Sequence, residues 1–389
     1  AGDRMMSESG NITLFDDWLH EQEIHNLPIK DICLVRSDDD FRKFTEWLFE
    51  RKRPLAFDIE ATGLDIYAPA WEIKTIQWGD TNQSFVFIWT EPWFQKSIDM
   101  VMNETDYKLL AHNTLYDALG LERHGHVSSN EILKRTYDTK ILAHLADPRP
   151  RRDGGVGHGL KNLASFHVDK DSKDGDEALK KIFRENKWTI EEGWKKIPAD
   201  HPTFVYYGGL DTILTARLYP KLRSEIKRQS MGHLVDYEHK LQRLVADMQR
   251  RGMRIDVAYA EQLAEQMTQE EERCKKIAKD LGVLNVNATR EIAVALQQLG
   301  VELTETTQKS GDLKVDKMIL STIANDPSLG KACDLANAIM SAKNNAKWRD
   351  AYVIGSLELM DSNNRVHPFI NTVGARTARF SVSLPPLQQ

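Results

Sequence analysis

Two carboxylates, Asp58 and Glu60, follow the apolar residues of a predicted strand in the segment LAFDIEATGLD. Side chains two residues apart on a strand project from the same face, so these two acids lie side by side. Carboxylates that close repel each other, and the pKa of one of them rises unless a cation lies between them. Oxygen ligands of this kind favour a hard divalent ion such as Mg²⁺ or Mn²⁺. The pair therefore predicts a metal site at the end of this strand.

Two later segments offer side chains of the same kind. HNTLYDAL places Asn113 at the end of a predicted strand and Asp117 one helical turn later. YYGGLDTIL places Tyr207 and Asp211 four residues apart, which makes them neighbours on one face of a helix. Each segment alone is weakly specific, whereas their combination in this order predicts one site with four acids. Four acids held together are tolerable only with bound cations, which would then neutralise a phosphate.

These three segments resemble the 3′–5′ exonucleases that carry four acids and a tyrosine on an RNase H-like fold. The resemblance implies two divalent metal ions, Mg²⁺ or Mn²⁺, that assist attack of water on the terminal phosphodiester. It also implies that Asp58 binds both ions, that Glu60 and Asp211 complete one of them, and that Asp117 holds the other. Tyr207 is implied to orient the attacking water.

The same resemblance assigns two residues to the substrate. Leu64, six residues after Asp58, is similar to an apolar wedge that contacts the terminal base, and Asn113 is implied to steady the scissile nucleotide. Asp138 is interpreted as a helix cap or as a residue that supports the site from behind. His112 and His158 are interpreted as hydrogen-bonded structural residues and not as metal ligands.

The elements that position these residues can be read from the apolar patterns. A helix is predicted over residues 38–50, and four strands are predicted in PLAFDI, IKTIQWGD, QSFVFIW and YKLLAHN. The segment RTYDTKILAHLAD is predicted to be helical, as is the stretch from Pro202 onward. Strands followed by helices that pack around them predict an α/β layered domain over residues 32–222.

The composition limits the classes of protein to which this chain can belong. The 389 residues carry a net charge of −6, which excludes a histone-like protein but not a protein with local nucleic-acid-binding patches. The three cysteines are far apart, which predicts reduced thiols, and neither a membrane span nor a secretory signal is predicted. Eight of the nine tryptophans precede residue 200, which supports a domain boundary near residue 222.

The C-terminal half resembles another part of a known family. Its last segment, RVHPFINTVGARTARFSVSLPPLQQ, is similar to the beginning of the palm of family A DNA polymerases, and RRGMRID is similar to the start of their thumb. Ala378 stands where the family usually has glycine, and Pro386 stands where it has an asparagine that contacts DNA. The resemblance implies that further residues contact DNA, namely Lys347, Arg376, Arg379 and Gln388.

We therefore predict an α/β fold with an RNase H-like mixed sheet, followed by an α-helical thumb region and the first strands of a palm. The predicted divisions are an N-terminal arm over 1–31, an exonuclease domain over 32–222, a thumb region over 223–364 and the start of a palm over 365–389. The function this predicts is proofreading, with release of dNMP, by part of a phage-type family A polymerase.

Partners follow from that prediction. The exonuclease site would bind a single-stranded 3′ end of DNA, and the thumb would hold a primer–template duplex. The palm and fingers motifs of the family are not found in this sequence, so we expect either a longer chain or a second polypeptide that carries them. The expected location is the cytoplasm of a bacterial host.

Two alternatives stay open on the sequence. One is a free-standing exoribonuclease similar to ribonuclease D, which carries the same acids but no polymerase segment. The other is a non-catalytic DNA-binding or assembly subunit of a split polymerase.

Overall fold

The computed structural model describes residues 29, 31–50, 54–307 and 311–388. Its contacts divide the chain into two compact units. The first comprises Ala1–Arg251 and Ile370–Ser381, and the second comprises Gly252–Phe369 and Val382–Gln389.

The first unit contains a six-stranded mixed sheet. Its strands are β1 Asp31–Leu34, β2 Leu55–Ala61, β3 Ile73–Gly79, β4 Gln83–Ile88, β5 Leu109–Ala111 and β6 Thr136–Asp138. Their order across the sheet is β1-β4-β3-β2-β5-β6. β3 pairs antiparallel with β2 on one side and with β4 on the other. The remaining pairs, β1 with β4, β2 with β5 and β5 with β6, are parallel.

Ten helices of this unit surround the sheet within the described residues. They are α1 Asp38–Phe49, α2 Trp93–Glu104, α3 Thr114–Arg123, α4 Ser129–Arg135, α5 Thr139–Ala146, α6 Leu160–His167, α7 Asp174–Glu185, α8 Ile190–Lys196, α9 Pro202–Arg228 and α10 Gly232–Arg251. Short 3₁₀ turns cover Arg151–Asp153 and Lys170–Lys173. The long helix α9 lies across β2, β3 and β4, and so it faces the centre of the sheet.

The second unit is mainly helical. Its elements are β7 Met253–Arg254, α11 Val257–Asp280, α12 Thr289–Gln298, α13 Lys317–Ala324, α14 Lys331–Trp348, α15 Gly355–Glu358 and β8 Arg365–Val366, with a 3₁₀ turn at Pro327–Leu329 and a π-helical turn at Arg349–Ile354. Two further short strands, β9 Phe369–Asn371 and β10 Ser381–Ser383, each include residues of both units. The apolar core of this unit is formed by side chains of α11, α12, α13 and α14, including Cys274 and Leu335.

The fold class is confirmed by the mixed sheet and the helical region that follows it. The four predicted strands are found, but the prediction of a continuous helix in RTYDTKILAHLAD is wrong over Thr136–Asp138, which forms β6. Three residues at the edge of a sheet are too few to show a period of two. The sequence patterns also do not predict β1.

The divisions at residues 31, 222 and 364 stay predictions. Residue 222 lies inside helix α9, and α10 packs on α3, α4 and α5 of the first unit, where Val235 belongs to the apolar core. The contact boundary of the first unit lies at Arg251. The predicted arm falls almost entirely outside the described residues. None of the described helices has the length and apolar character that crossing a membrane requires.

Candidate active site

The strand β2 carries the first two acids at the centre of the sheet. Asp58 is opposite Gln77 and Glu60 is opposite Thr75 in the antiparallel pairing with β3. A register irregularity follows Glu60, so regular pairing is interrupted immediately beyond the second acid. Both side chains project from the face on which helix α9 lies, as the two-residue spacing predicts.

Helix α9 brings the third acid to this face. One carboxylate oxygen from each of Asp58, Glu60 and Asp211 lies within 4.8 Å of the others. Elsewhere in the described residues, no three His, Cys, Asp or Glu side chains approach one another in this way. The set consists only of carboxylate oxygens, which suits a divalent cation with a preference for oxygen. The residues present therefore fit a bound divalent metal ion.

Two glycines allow α9 to lie this close to the sheet. A Cβ atom at Gly208 would lie 2.4 Å from the Nε2 atom of Gln77, and one at Gly209 would lie 2.4 Å from the Cγ2 atom of Ile32. These glycines stand between Tyr207 and Asp211 in the sequence. The close approach at the glycine pair therefore determines how near Asp211 comes to the acids of β2.

Asp117 contacts the same strand from helix α3. Its Oδ1 atom accepts a hydrogen bond of 3.2 Å from the amide of Ile59, the residue between the first two acids. Asp117 is buried, and it does not belong to the group of three carboxylates within 4.8 Å. The structure thus unites three of the predicted acids and places the fourth against the backbone of β2.

The burial of these acids changes their protonation. Desolvation raises the pKa of Asp58 to about 7, although Lys161 and a hydrogen bond with Glu60 oppose the rise. Burial, followed by the charge of Asp58, also raises the pKa values of Glu60 and Asp117 well above their ordinary range. Like charges held in a poorly solvated place favour protons or cations, and a divalent ion would lower all three pKa values again.

Lys161 of helix α6 supplies a cation that the sequence analysis missed. Its Nζ atom forms an ion pair with Oδ1 of Asp211 and lies 4.4 Å from the centroid of the Tyr207 ring. Burial lowers the pKa of Lys161 to about 8, while Glu60 and Asp58 oppose this change. The sequence offers little signal for this role, because one lysine on a short amphipathic helix usually faces solvent.

Tyr207 lies against this lysine on the first part of α9. Burial, followed by the charges of Glu60 and Asp58, raises the pKa of Tyr207 well above its ordinary value. The side chain is therefore a neutral phenol at physiological pH, able both to donate and to accept a hydrogen bond.

Leu64 extends from the turn that follows β2. It is 81% exposed, although it is apolar. The backbone beside it is held, because the carbonyl of Gly63 accepts hydrogen bonds from the Tyr116 hydroxyl at 2.5 Å and from the Trp71 indole at 2.8 Å. Leu64 stands four residues after Glu60 in the sequence, and its contact with a base stays a prediction.

Asn113 occupies the residue before helix α3 in a left-handed conformation, with φ of 69°. Its Oδ1 atom accepts a hydrogen bond of 3.0 Å from Nζ of Lys140. The two histidines interpreted as structural are hydrogen-bonded, since the Nε2 atom of His112 lies 2.9 Å from the carbonyl oxygen of His158. The imidazole of His158 in turn lies 2.8 Å from the carbonyl oxygen of Asp147.

The predicted DNA contacts of the C-terminal half are exposed. Lys347 lies on α14 and Gln388 near the end of the described residues, whereas Arg376 and Arg379 lie in the segment that belongs to the first unit. Exposure does not test contact with DNA, so these four assignments stay predictions. A neighbouring arginine, Arg349, is unsuited to such a role because it pairs with Glu271 and Asp350.

Comparison with known families accounts for both halves of the chain. The family model described as 3′-5′ exonuclease matches residues 33–227, and the model described as DNA polymerase family A matches residues 257–389. The chain belongs to the 3′-5′ exonuclease family over residues 33–227 and carries a DNA polymerase family A segment over residues 257–389. Its 3′–5′ exonuclease segment contains every acid of the candidate site, and the prediction of both families is confirmed.

Relatives of this chain include two phage proteins. The DNA polymerase of Mycobacterium phage D29 is 32% identical over 92% of this chain, and that of Mycobacterium phage L5 is 31% identical over 92% of this chain. The chain spans 59% of the length of each. The polymerase segment and these relatives favour the polymerase prediction over the free-standing exoribonuclease.

A solved structure shows the same fold. It is the POL domain of Pol1 from M. smegmatis in complex with DNA primer-template and dNTP, with a TM-score of 0.64 over 92% of this chain and 55% of that chain. Sequence identity is 16%, so this likeness concerns the fold alone.

Proposed function

We propose that this chain is the proofreading 3′–5′ exonuclease and DNA-holding portion of a phage-type family A DNA polymerase. The observation that carries the proposal is the meeting of Asp58, Glu60 and Asp211 within 4.8 Å on the exonuclease segment. The substrate is the single-stranded 3′ end of DNA, and the product is a deoxynucleoside monophosphate. The relatives from Mycobacterium phages support a phage origin and action in the cytoplasm of a bacterial host.

Two ions, Mg²⁺ or Mn²⁺, complete the proposed site. Glu60 and Asp211 would hold one ion, Asp117 would hold the other, and Asp58 would contribute to holding both. When bound, the ions supply Lewis acidity and neutralise charge on the terminal phosphate. The raised pKa values of the buried Glu60 and Asp117 support this assignment, because a bound cation would supply the counter-charge that favours their ionised forms.

The protein's own side chains do the rest of the proposed chemistry. The neutral Tyr207 phenol accepts or donates one hydrogen bond to hold the attacking water in line with the leaving 3′ oxygen. Lys161 keeps the carboxylate of Asp211 in place and carries positive charge beside the phosphodiester. Leu64 stacks against the terminal base, and Asn113 holds the nucleotide through its amide group.

The exonuclease experiment uses a 3′-labelled single strand with Mg²⁺. The full chain should release labelled mononucleotide, and the double variant Asp58→Ala/Glu60→Ala should lose at least about 10³-fold in rate, because the ion site is removed. The matched control is Asp99→Ala/Glu104→Ala, which removes two exposed acids from α2. Equal release by wild type and the Asp58→Ala/Glu60→Ala variant would contradict the site assignment.

The DNA-holding function rests on the polymerase segment at 257–389. Lys347, Arg376, Arg379 and Gln388 are proposed to contact a primer–template duplex through its phosphates and minor groove, contacts that carry little sequence information. Affinity for duplex should then fall steeply with salt, and each lysine or arginine substitution should reduce that salt dependence. The second polypeptide with palm and fingers stays a prediction, which mass spectrometry of chains co-purifying with the native protein would test.

A further inference from the structure

A single buried carboxylate, Asp138, accepts four hydrogen bonds behind the candidate site. Its Oδ1 atom accepts from the amides of Asn113 at 2.9 Å and Lys140 at 2.8 Å. Its Oδ2 atom accepts from the amide of Thr114 at 2.9 Å and from Nε2 of Gln242 at 2.6 Å. The side chain is 1% exposed, so none of these donors can be replaced by bulk water. The carboxylate therefore has its acceptor capacity filled by four donors from three different segments of the chain.

These donors include the first amides of two helices. Helix α5 begins at the residue after Asp138, and helix α3 begins at Thr114. The first amides of a helix have no acceptor within the helix, and a side-chain oxygen must supply one when the end is buried. The residue before α3, Asn113, makes no such bond with its own side chain. Asp138 thus caps its own helix and, from a distance in sequence, the helix that carries Asp117.

Helix α10 completes the arrangement. His239 and Gln242 are three residues apart on it, and both are buried. The Nε2 atom of His239 accepts the amide hydrogen of Asp138 at 2.8 Å, while its Nδ1 atom donates to the carbonyl of Val235 at 2.7 Å. One face of α10 therefore contacts both the backbone and the carboxylate of Asp138. This helix lies beyond residues 33–227, which match the exonuclease family.

We propose that Asp138, held by Gln242 and His239 of α10, is a positioning residue of the exonuclease reaction. It fixes the first turn of α3, which presents Asn113 at its start and Asp117 one turn later. The inference rests on the proposed function, and it extends the exonuclease machinery to a helix outside the matched segment. A loosened first turn would move both the nucleotide-binding amide and one metal-binding carboxylate.

The hydrogen-bond pattern suggests a reciprocal exchange as the test. Asp138→Asn turns one acceptor atom into a donor, which then faces the donating amides of Gln242 and Thr114. Gln242→Glu places a second carboxylate against the first. In the double variant Asp138→Asn/Gln242→Glu, the asparagine amide can donate to the glutamate, and the bonds from Asn113 and Lys140 can remain.

The assay measures kcat and KM on a 3′-labelled single strand, together with the Mn²⁺ concentration that gives half-maximal rate. Each single variant should lose about 10- to 100-fold in kcat/KM, as expected for an unsatisfied buried charged hydrogen bond, and should need more Mn²⁺. The double variant should recover part of the loss and exceed both single variants, because the donor and acceptor at residues 138 and 242 are again matched while the amide of Thr114 still lacks its acceptor. Asp147→Asn, at the other end of α5, is the matched control and should behave as wild type.

All rates are measured well below the thermal midpoint of each variant, so that a loss of stability alone leaves them unchanged. An Asp138→Asn variant with wild-type kcat, KM and Mn²⁺ requirement would overturn the proposal, as would a double variant no more active than the single one. If Asp138→Asn fails to fold, Gln242→Ala, which leaves three donors in place, should still lower kcat/KM, and an unchanged value would overturn the proposal. A folded wild-type chain with no nuclease activity would instead contradict the proposed function.

Discussion

The Nζ atom of Lys161 lies 4.4 Å from the centroid of the Tyr207 ring, and the same ammonium group pairs with Asp211 one turn further along α9. One lysine from α6 thus contacts both functional side chains that α9 contributes. The aromatic face of Tyr207 and the ion pair with Asp211 each favour the charged lysine, although its burial opposes that form. Lys161 therefore neutralises part of the acidic cluster from within the protein.

Substitution of this lysine should separate metal binding from catalysis. Lys161→Met keeps most of the apolar part of the side chain but removes a cation that competes for Asp211, so the Mg²⁺ concentration for half-maximal rate should fall. The rate at saturating Mg²⁺ should drop about tenfold or more, because positive charge beside the phosphate is lost. Steady-state rates across a Mg²⁺ titration measure both effects. The control is Lys180→Met, because Lys180 pairs with Asp176 on α7. A raised Mg²⁺ requirement in Lys161→Met would contradict the proposal that Lys161 competes with the metal ion for Asp211.

The metal-free protein should lose stability as the pH rises from about 4 towards 7. The folded-state pKa of Asp58 is raised to about 7, so the folded protein holds a proton that the unfolded chain releases near pH 4. The stabilisation is complete below the unfolded pKa and is lost as the pH passes through the folded one. We expect a loss of roughly 2–4 kcal/mol in the free energy of unfolding, measured by urea denaturation in EDTA. Asp58→Asn should flatten this dependence; an equally steep profile in that variant would assign it to other groups.

The glycine pair of α9 should be intolerant of even one methyl group. Gly208→Ala would place a Cβ atom 2.4 Å from Gln77, which is fully buried, so either the helix or that side chain must move. We expect a destabilisation of about 1–3 kcal/mol by urea denaturation and a loss of exonuclease rate, because Tyr207 and Asp211 shift with the helix. Gly232→Ala, where no atom lies within 4 Å of the added Cβ, is the control. A Gly208→Ala variant as stable and active as Gly232→Ala would show that the close approach is not required.

The exposed leucine beside the site should affect substrate binding and not folding. Leu64→Ala removes a side chain that is 81% exposed, so the thermal midpoint should stay within about a degree of wild type. KM for a single strand should rise about three- to tenfold through loss of contact with the terminal base, since stacking and apolar contacts of this kind are worth about 1 kcal/mol. Leu284→Ala, at a leucine 78% exposed in the second unit, is the control. Equal KM values for the two variants would remove the base contact from the mechanism.

Local sequence patterns predict much of the site because Asp58 and Glu60 lie on a strand and Tyr207 and Asp211 lie on a helix. The two-residue spacing of Asp58 and Glu60 and the four-residue spacing of Tyr207 and Asp211 define common faces before any tertiary information is available. The meeting of those two faces follows from the order of the segments and their resemblance to a family. The structure then supplies the distances, which no spacing contains.

Other parts could not be predicted, because they depend on contacts between distant segments. Lys161 is unremarkable on its own helix, and its proximity to Tyr207 depends on how α6 and α9 pack. The clash between a side chain at position 208 and Gln77 likewise depends on how closely α9 packs against β3. The hydrogen bond between Gln242 and Asp138 joins residues 104 positions apart, beyond any local pattern.

The strand β2 is hydrogen-bonded along both of its edges, to β3 and to β5. A strand enclosed in this way opens only when much of its sheet opens, so its amide hydrogens should exchange with solvent almost as slowly as the whole unit unfolds. Asp58 and Glu60 therefore share a segment with very little freedom to fluctuate. The protein keeps two mutually repelling charges where the chain is least able to relax away from them, and their separation is set in advance of any ion or substrate.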